Sequence, residues 1–443
     1  MQVLALDVGS SSTRACAYDE RGAEAGAAAQ RKYEARRARD GSAELDPDEL
    51  VSAARAVLDE VEGGHDAIGI SCFMHSLLLL DERERPLTPA LLWQDRRAAA
   101  EADELARRLD QQAVHARTGC VFHPSFWPAK LAWLQAEQPE TFARARRLVS
   151  LADYLFLQLT GELRTTLSAA SGTGLLDLRR RSWDAALLDE LGVAAELMPP
   201  LDAEPVETTY PPVADGACSN LGSGCTTRER AALMIGTSGA LRVLHEGEPE
   251  PRPGLFCYLL DERRVFEGGA VSDGGNLYAW LERTLRLDGG ELGPPDGHGL
   301  TFLPLLGGER SPGWNSRARG AIAGLTFDAG PGDLLQAAFE GIAYRIAESA
   351  QALPEVREVV ATGHGLLENT GWIQIFADVL GRPVTASDVA EGSARGAAAH
   401  VLERLGVTAE PAPLGRTYEP DAERHEVYAA ARERQRELYE RLF

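Results

Sequence analysis

Two rhythms of apolar and polar positions run along the chain. Short apolar runs at Val3–Asp7, Ala15–Tyr18, Ala67–Ser71 and Leu77–Leu80 predict strands, with polar turns at Asp19–Gly22 and Asp81–Pro86. Helical spacing takes over in Pro47–Val61, Arg97–Leu109, Pro128–Leu134 and Ala152–Leu159, the last closed by Gly161. Beyond a Pro-rich stretch, Leu197–Gly224, strands come first again (Ala232–His245, Leu255–Leu260, Arg264–Glu267) and helices follow. The most legible helix carries Trp372, Ile375, Phe376, Val379 and Leu380 on one face and stops at Gly381 and Pro383.

Within this alternation one segment recurs. Val8-Gly9-Ser10-Ser11 matches Ile235-Gly236-Thr237-Ser238, each followed by a basic residue, Arg14 or Arg242, and an apolar strand. A repeat this long means duplicated domains. Strands mixed with helices in both halves predict two α/β domains facing each other across a cleft, residues 1–222 and 223–443, with the Pro-rich stretch as boundary.

Composition narrows the function. A chain of 443 residues suffices for two or three cores, and its formal charge of −22 argues against a nucleic-acid or anionic-membrane partner. The longest aliphatic run is Leu77–Leu80, so no membrane span is expected. No basic leader with an apolar stretch opens the chain, and the six cysteines show no C-x-x-C pair. Both features predict a cytoplasmic protein with reduced, buried thiols. The cations are 43 arginines and two lysines, Lys32 and Lys130, which draws attention to Lys130.

Glycine and small hydroxyl residues at a tight turn expose N–H and O–H donors to an anion. Two such turns, one per domain, would grip a polyphosphate from both sides, and Asp7 beside the first suits a phosphate-bound Mg²⁺. No G-x-x-x-x-G-K-[ST] run is present, which excludes a P-loop as the cradle. Taken alone, the first turn reads equally well as an ordinary hairpin; its repeat favours the phosphate grip.

The paired hairpins resemble the phosphate motifs of the actin/Hsp70/sugar-kinase superfamily, and further motifs resemble its FGGY carbohydrate kinases almost end to end. Asp7, Gly9, Ser10, Ser11, Ser12 and Arg14 match the first hairpin; Trp93, Asp95 and Arg97 match W-x-D-x-R in the sugar domain. Thr118-Gly119 through Leu134 matches an element that places Lys130, and Asp215-Gly216 matches the segment with the catalytic aspartate. Gly308-Glu309-Arg310 matches a second-domain signature, and Gly363, Gly365 and Asn369 match the adenosine segment.

The resemblance implies a ribonuclease-H-like fold with MgATP in the cleft, its phosphates on the two hairpins (Gly236, Thr237 and Ser238 in the second). Asp7 and Asp215 would hold the metal, and Asp215 would accept the acceptor's hydroxyl proton. His75, Trp93, Asp95, Arg97 and Lys130 would bind the sugar. For several of these a plainer role stands beside the functional one. Asp215 also reads as a surface turn residue, Asp95 as a helix cap behind a buried strand Trp93, and His75 as a core histidine. Lys130 also reads as a solvated helix residue, and Asn369 as the N-cap of the Trp372 helix, a role compatible with flanking adenine. Glu309 and Arg310 read as an ion pair with no chemistry.

Met74-His75-Ser76, Pro86-Leu87-Thr88-Pro89 and His123-Pro124 most resemble gluconate kinases, which makes D-gluconate the first expected substrate and D-xylulose the alternative. An acid would need local positive charge, for which Arg97 and Lys130 are the candidates. A homodimer is a family-level expectation. Cys72-Phe73, His364 and Thr166 depart from common family residues, and segments at Leu201–Val213 and after Leu287 look shortened. The shortening raises a different class, an inactive homologue acting as a sensor, against which Asp7 and Asp215 are retained. An Hsp70-like ATP-driven binding protein would need a peptide-binding unit after the second domain, and this sequence carries none.

Overall fold

Two sheets organise the chain, each containing one of the hydroxyl-rich hairpins. The computed structural model describes residues 1–443 except 62, 286 and 288–291, so part of the segment after Leu287 lies outside the described residues. The first sheet runs in the order Val213–Ala214, Ala67–Cys72, Gln2–Val8, Ser12–Asp19, Glu24–Lys32. Its first three strands are parallel, with Asp7 opposite Ser71 and Ser71 opposite Val213. Their carboxyl ends therefore lie side by side.

Gln2–Val8 shows why this sheet has two covered faces. Leu4, Leu6 and Val8 enter one core, while Val3 and Ala5 enter another shared with the second half of the chain. Helix Pro47–Glu60 covers the former with Leu50, Val51, Ala54 and Val57, and its N-cap Asp46 accepts from the Asp48 and Glu49 amides.

The second sheet runs Phe256–Leu259, Arg264–Val271, Gly239–Glu246, Arg230–Ile235, Glu358–Thr362, Val384–Ser387, Leu414–Tyr418. Helices Pro331–Gln351 and Thr370–Leu380 build its core, where the Trp372 and Phe339 rings stack with centroids 4.3 Å apart. Asn369 caps the second helix by accepting from the Trp372 amide, and Gly381 ends it in the left-handed region at φ 61°.

The Pro-rich stretch is not a free linker. Its end forms strand Val213–Ala214 of the first sheet and then helix Asp215–Gly222. That helix crosses helix Gly392–Arg404, which returns from the second half of the chain to cover the first sheet. The crossing brings backbone against backbone. A Cβ on Gly222 would lie 1.8 Å from the Gly392 carbonyl oxygen, and one on Gly396 1.8 Å from that of Cys218. Arg395 ties the joint, donating to the carbonyls of Gly22, Gly222 and Glu410.

The repeated hairpins differ by one residue. Val8 pairs with Thr13 across Gly9–Ser12, whereas Ile235 pairs with Gly239 across Gly236–Ser238. All six cysteines are buried and free. Among the described residues no helix is long and apolar enough to cross a membrane.

Candidate active site

The parallel register at the end of the first sheet assembles the acidic centre. Ser71 donates its hydroxyl to Asp7 Oδ1 at 2.7 Å, and Asp215 opens the helix that follows the neighbouring strand. Withdrawal from water pushes the Asp7 carboxyl up to about 6; the Ser71 hydroxyl opposes this, the Asp215 charge adds to it and Arg14 opposes it. Asp215 is also raised by burial, against the pull of Arg242, its hydrogen bond from the Gly216 amide at 2.7 Å, and Arg310. Two oxygen-donor carboxylates held in one another's field suit a hard divalent cation.

Both turns present hydroxyls outward: Ser11 and Thr237 are exposed, and Gly9, Ser10, Ser12, Gly236 and Ser238 half-buried. The Tyr33 hydroxyl braces the first turn by donating to the Gly9 carbonyl at 2.5 Å. Gly363 and Gly365 lie against the second. A Cβ on Gly363 (φ +85°) would meet the Ile235 carbonyl oxygen at 2.6 Å, and one on Gly365 at 3.2 Å. Arg14 pairs instead with Glu391, at the start of the returning helix.

A cavity of about 90 Å³ opens beside Asp215, lined from the first domain by His75 and Trp93 and from the second by Arg242, Tyr258 and Arg310. His75 has a left-handed backbone, φ 71°, and its Nδ1 lies 2.6 Å from the Gly172 carbonyl oxygen. A carbonyl only accepts, so Nδ1 carries the proton and Nε2 presents its lone pair to the Arg310 Nη2 at 3.5 Å. Burial, then the Arg310 charge, pushes the His75 pKa well down, which keeps the ring neutral. Arg310 lies 5.2 Å over the Trp93 ring. An adjoining cavity of about 310 Å³ is lined by Trp93, Asp95, His123, Asp273 and Trp280 among others. There burial raises the Asp273 carboxyl to about 7 against the amide of Gly307.

Several sequence expectations are corrected here. Asp95 and Arg97 are spent on each other: Arg97 Nη2 lies 2.6 Å from Asp95 Oδ2 and 2.6 Å from Glu44 Oε1, and its guanidinium sits 4.4 Å from the Trp133 ring. Nor does Asp95 cap a helix: the next one, Ala99–Arg108, has Ala98 at its N-cap, and Asp95 accepts instead from the amides of Ala43 and Arg97. Lys130 is 1% exposed, so it is not a solvated residue. Its Nζ donates to the carbonyls of His75 at 2.6 Å and Leu91 at 3.3 Å, and burial brings its pKa down to about 7.

Glu309 and Arg310 do not pair. Glu309 binds Arg345 and accepts from the Tyr439 hydroxyl at 2.6 Å, leaving Arg310 to the cavity. The cations lining the cavity beside Asp215 are therefore Arg242 and Arg310 rather than Arg97 and Lys130. The sequence marked both arginines by motif; only their burial reveals which lack a partner.

Two α/β sheets with matched hairpins facing across a hinge of crossed helices define the actin/Hsp70/sugar-kinase type of fold. Residues 2–213 match the N-terminal domain, and residues 231–401 the C-terminal domain, of the FGGY family of carbohydrate kinases. The chain belongs to that family and is a carbohydrate kinase, a phosphotransferase. It is 29% identical to a gluconokinase of Bacillus subtilis strain 168 across 89% of this chain and 86% of that protein. It is 30% identical to a xylulose kinase of Escherichia coli K12, covering 99% of each. Among solved structures, gluconate kinase from Lactobacillus acidophilus superposes with a TM-score of 0.89 at 27% identity, covering 100% of this chain and 98% of that one. Ligand-bound xylulose kinase from the same organism gives 0.87 at 26% identity, again covering 100% and 98%.

Proposed function

We propose that the protein transfers the γ-phosphate of ATP to a hydroxyl of a sugar acid, with D-gluconate as the preferred acceptor. The observation that carries the phosphotransfer reading is Asp215, a raised carboxyl at a cavity lined from both domains, one residue beyond a strand of the parallel set in which Ser71 and Asp7 are the next-to-last residues of the other two. A carboxylate there accepts the acceptor's proton as the hydroxyl attacks. Asp7 and Asp215 would hold Mg²⁺, which when bound neutralises phosphate charge. The turns at Gly9–Ser12 and Gly236–Ser238 offer donors to the phosphates, with Gly363, Gly365 and Asn369 on the adenosine side. Movement at the helix crossing would close the cleft and exclude water.

The acid is favoured over a neutral sugar because the cavity beside Asp215 is cationic, and because the Met74-His75-Ser76 and His123-Pro124 motifs resemble gluconate kinases. D-Xylulose is the second reading, supported by the end-to-end match to a xylulose kinase. Retention of both Asp7 and Asp215 speaks against an inactive sensor. The test is an ATP-coupled assay with gluconate, xylulose, ribulose and glycerol. Turnover of gluconate above that of the others, abolished in Asp215→Ala, is expected. No turnover with any of them beyond the Asp215→Ala background would refute the kinase reading for these acceptors.

A further inference from the structure

Among the described residues five arginines are buried: Arg242, Arg264, Arg310, Arg345 and Arg395. Three are held by carboxylates or carbonyls of the protein, although Nε of Arg345 makes no hydrogen bond. Arg264 pairs with Asp261 and Glu403, Arg345 with Glu309 and Glu348, and Arg395 donates to three carbonyls. The remaining two, 6% and 8% exposed, make no salt bridge among the described residues. Nε and Nη2 of Arg242 and Nε of Arg310 have no hydrogen-bond partner at all. Both line the same cavity, beside Asp215.

Asp215 is the one carboxylate whose charge acts on both guanidiniums, and it makes a salt bridge with neither among the described residues; two buried cations against one carboxylate leave a site for a second anion. We infer that Arg242 and Arg310 together bind the carboxylate of the acceptor, so that the cavity selects aldonic acids. The inference rests on the kinase reading above and names its specificity residues.

Two features separate this anion from the phosphates of ATP, although Ser238 of the second turn also lines the cavity. The hairpin turns carry their own hydroxyl donors for phosphate. Arg310 belongs to the acceptor wall instead, 3.5 Å from His75 Nε2 and stacked over Trp93. The planar guanidinium fork matches a carboxylate's two oxygens as it does a phosphate's, and the MgADP titration below distinguishes the two. Room for Arg242 comes from Gly216, next to the proposed base: a Cβ there would sit 2.6 Å from the Arg242 Nη1 and 2.7 Å from the Phe266 ring. A larger residue after Asp215 would push the guanidinium aside.

The deciding measurement is ATP-free binding, read by the fluorescence of Trp93 and the other tryptophans. D-Gluconate is compared with D-glucitol, its uncharged counterpart of equal length, and MgADP is titrated separately. Wild type is expected to bind gluconate at least about tenfold more tightly than glucitol. Arg242→Gln and Arg310→Gln should each lose about tenfold or more on gluconate, with glucitol and MgADP affinities held within about threefold. Equal wild-type affinity for gluconate and glucitol would overturn the inference without need of any variant. So would variants that lose MgADP together with gluconate, since the guanidiniums would then serve phosphate. Turnover of neutral sugars by a wild type with no gluconate preference refutes the inference and leaves the kinase reading intact. Arginine-dependent gluconate binding without phosphoryl transfer does the reverse.

Discussion

Arg97 grips both carboxylate oxygens of Asp95, with Nε 3.1 Å from Oδ1 and Nη2 2.6 Å from Oδ2. Asp95 is 3% exposed and accepts two further bonds, from the backbone amides of Ala43 and Arg97. The pair is thus a brace inside the wall of the larger cavity. Asp95→Asn should cost about 3 kcal/mol in urea unfolding, because it leaves a largely buried guanidinium with Glu44 alone. The double variant Asp95→Asn/Arg97→Gln should cost less than the sum of its parts. Additive effects would show that the two residues act independently.

Asp215 separates activity from stability. Its raised pKa means that the ionised carboxylate is disfavoured in the folded protein. Asp215→Asn should lower kcat by about a hundredfold or more while leaving the melting temperature equal or higher. A variant that melts early would place the residue in the framework instead of the chemistry.

Asp7 gives a pH signature. Its folded pKa of about 6 exceeds the ordinary 3.8, so it contributes stability below pH 3.8 that is lost as the pH rises through about 6. Mg²⁺ competes with that proton, so its stabilisation of the protein should be small near pH 5 and full near pH 8. Ser71→Ala removes the hydrogen bond that holds the pKa down, and should move this dependence to higher pH. Thermal melts with and without Mg²⁺ across that range check both statements.

The crossing at Gly396 tests the hinge. Its Cβ position lies 1.8 Å from the Cys218 carbonyl oxygen, a clash that no side-chain rotation relieves. Gly396→Ala should cost about 3 kcal/mol by urea unfolding, at the upper end for overpacked cores. A loss below about 1 kcal/mol would mean that the two helices separate easily.

Much of the architecture was legible because the sequence writes its local rules plainly. The strands near Val3, Ala15 and Ala67, the helix after Asp46 and the Trp372 helix with its Gly381 stop all follow from periodicity and capping. The helix Gly392–Arg404 did not announce itself. Its Gly/Ala-rich face has no apolar stripe, because it is enclosed by close backbone approach to Cys218 on one side and to Gly69 on the other, not by large side chains. Likewise W-x-D-x-R identified Trp93, Asp95 and Arg97 together, yet only Trp93 and Asp95 line a cavity, while Arg97 is turned inward to its two carboxylates.

By itself, then, the sequence determined the two α/β halves, the paired hairpins and the placement of Asp7 at a strand end, while the strand Val213–Ala214 that leads into Asp215 came only with the fold. The former depend on spacing along one chain. Only the tertiary structure decided which cations are free. A guanidinium or ammonium is neutralised by whatever the fold packs beside it, and those neighbours come from distant segments: Glu44 for Arg97, the His75 and Leu91 carbonyls for Lys130, Glu309 for Arg345. Arg242 and Arg310 stand out because the same packing buried them and gave them no salt bridge among the described residues.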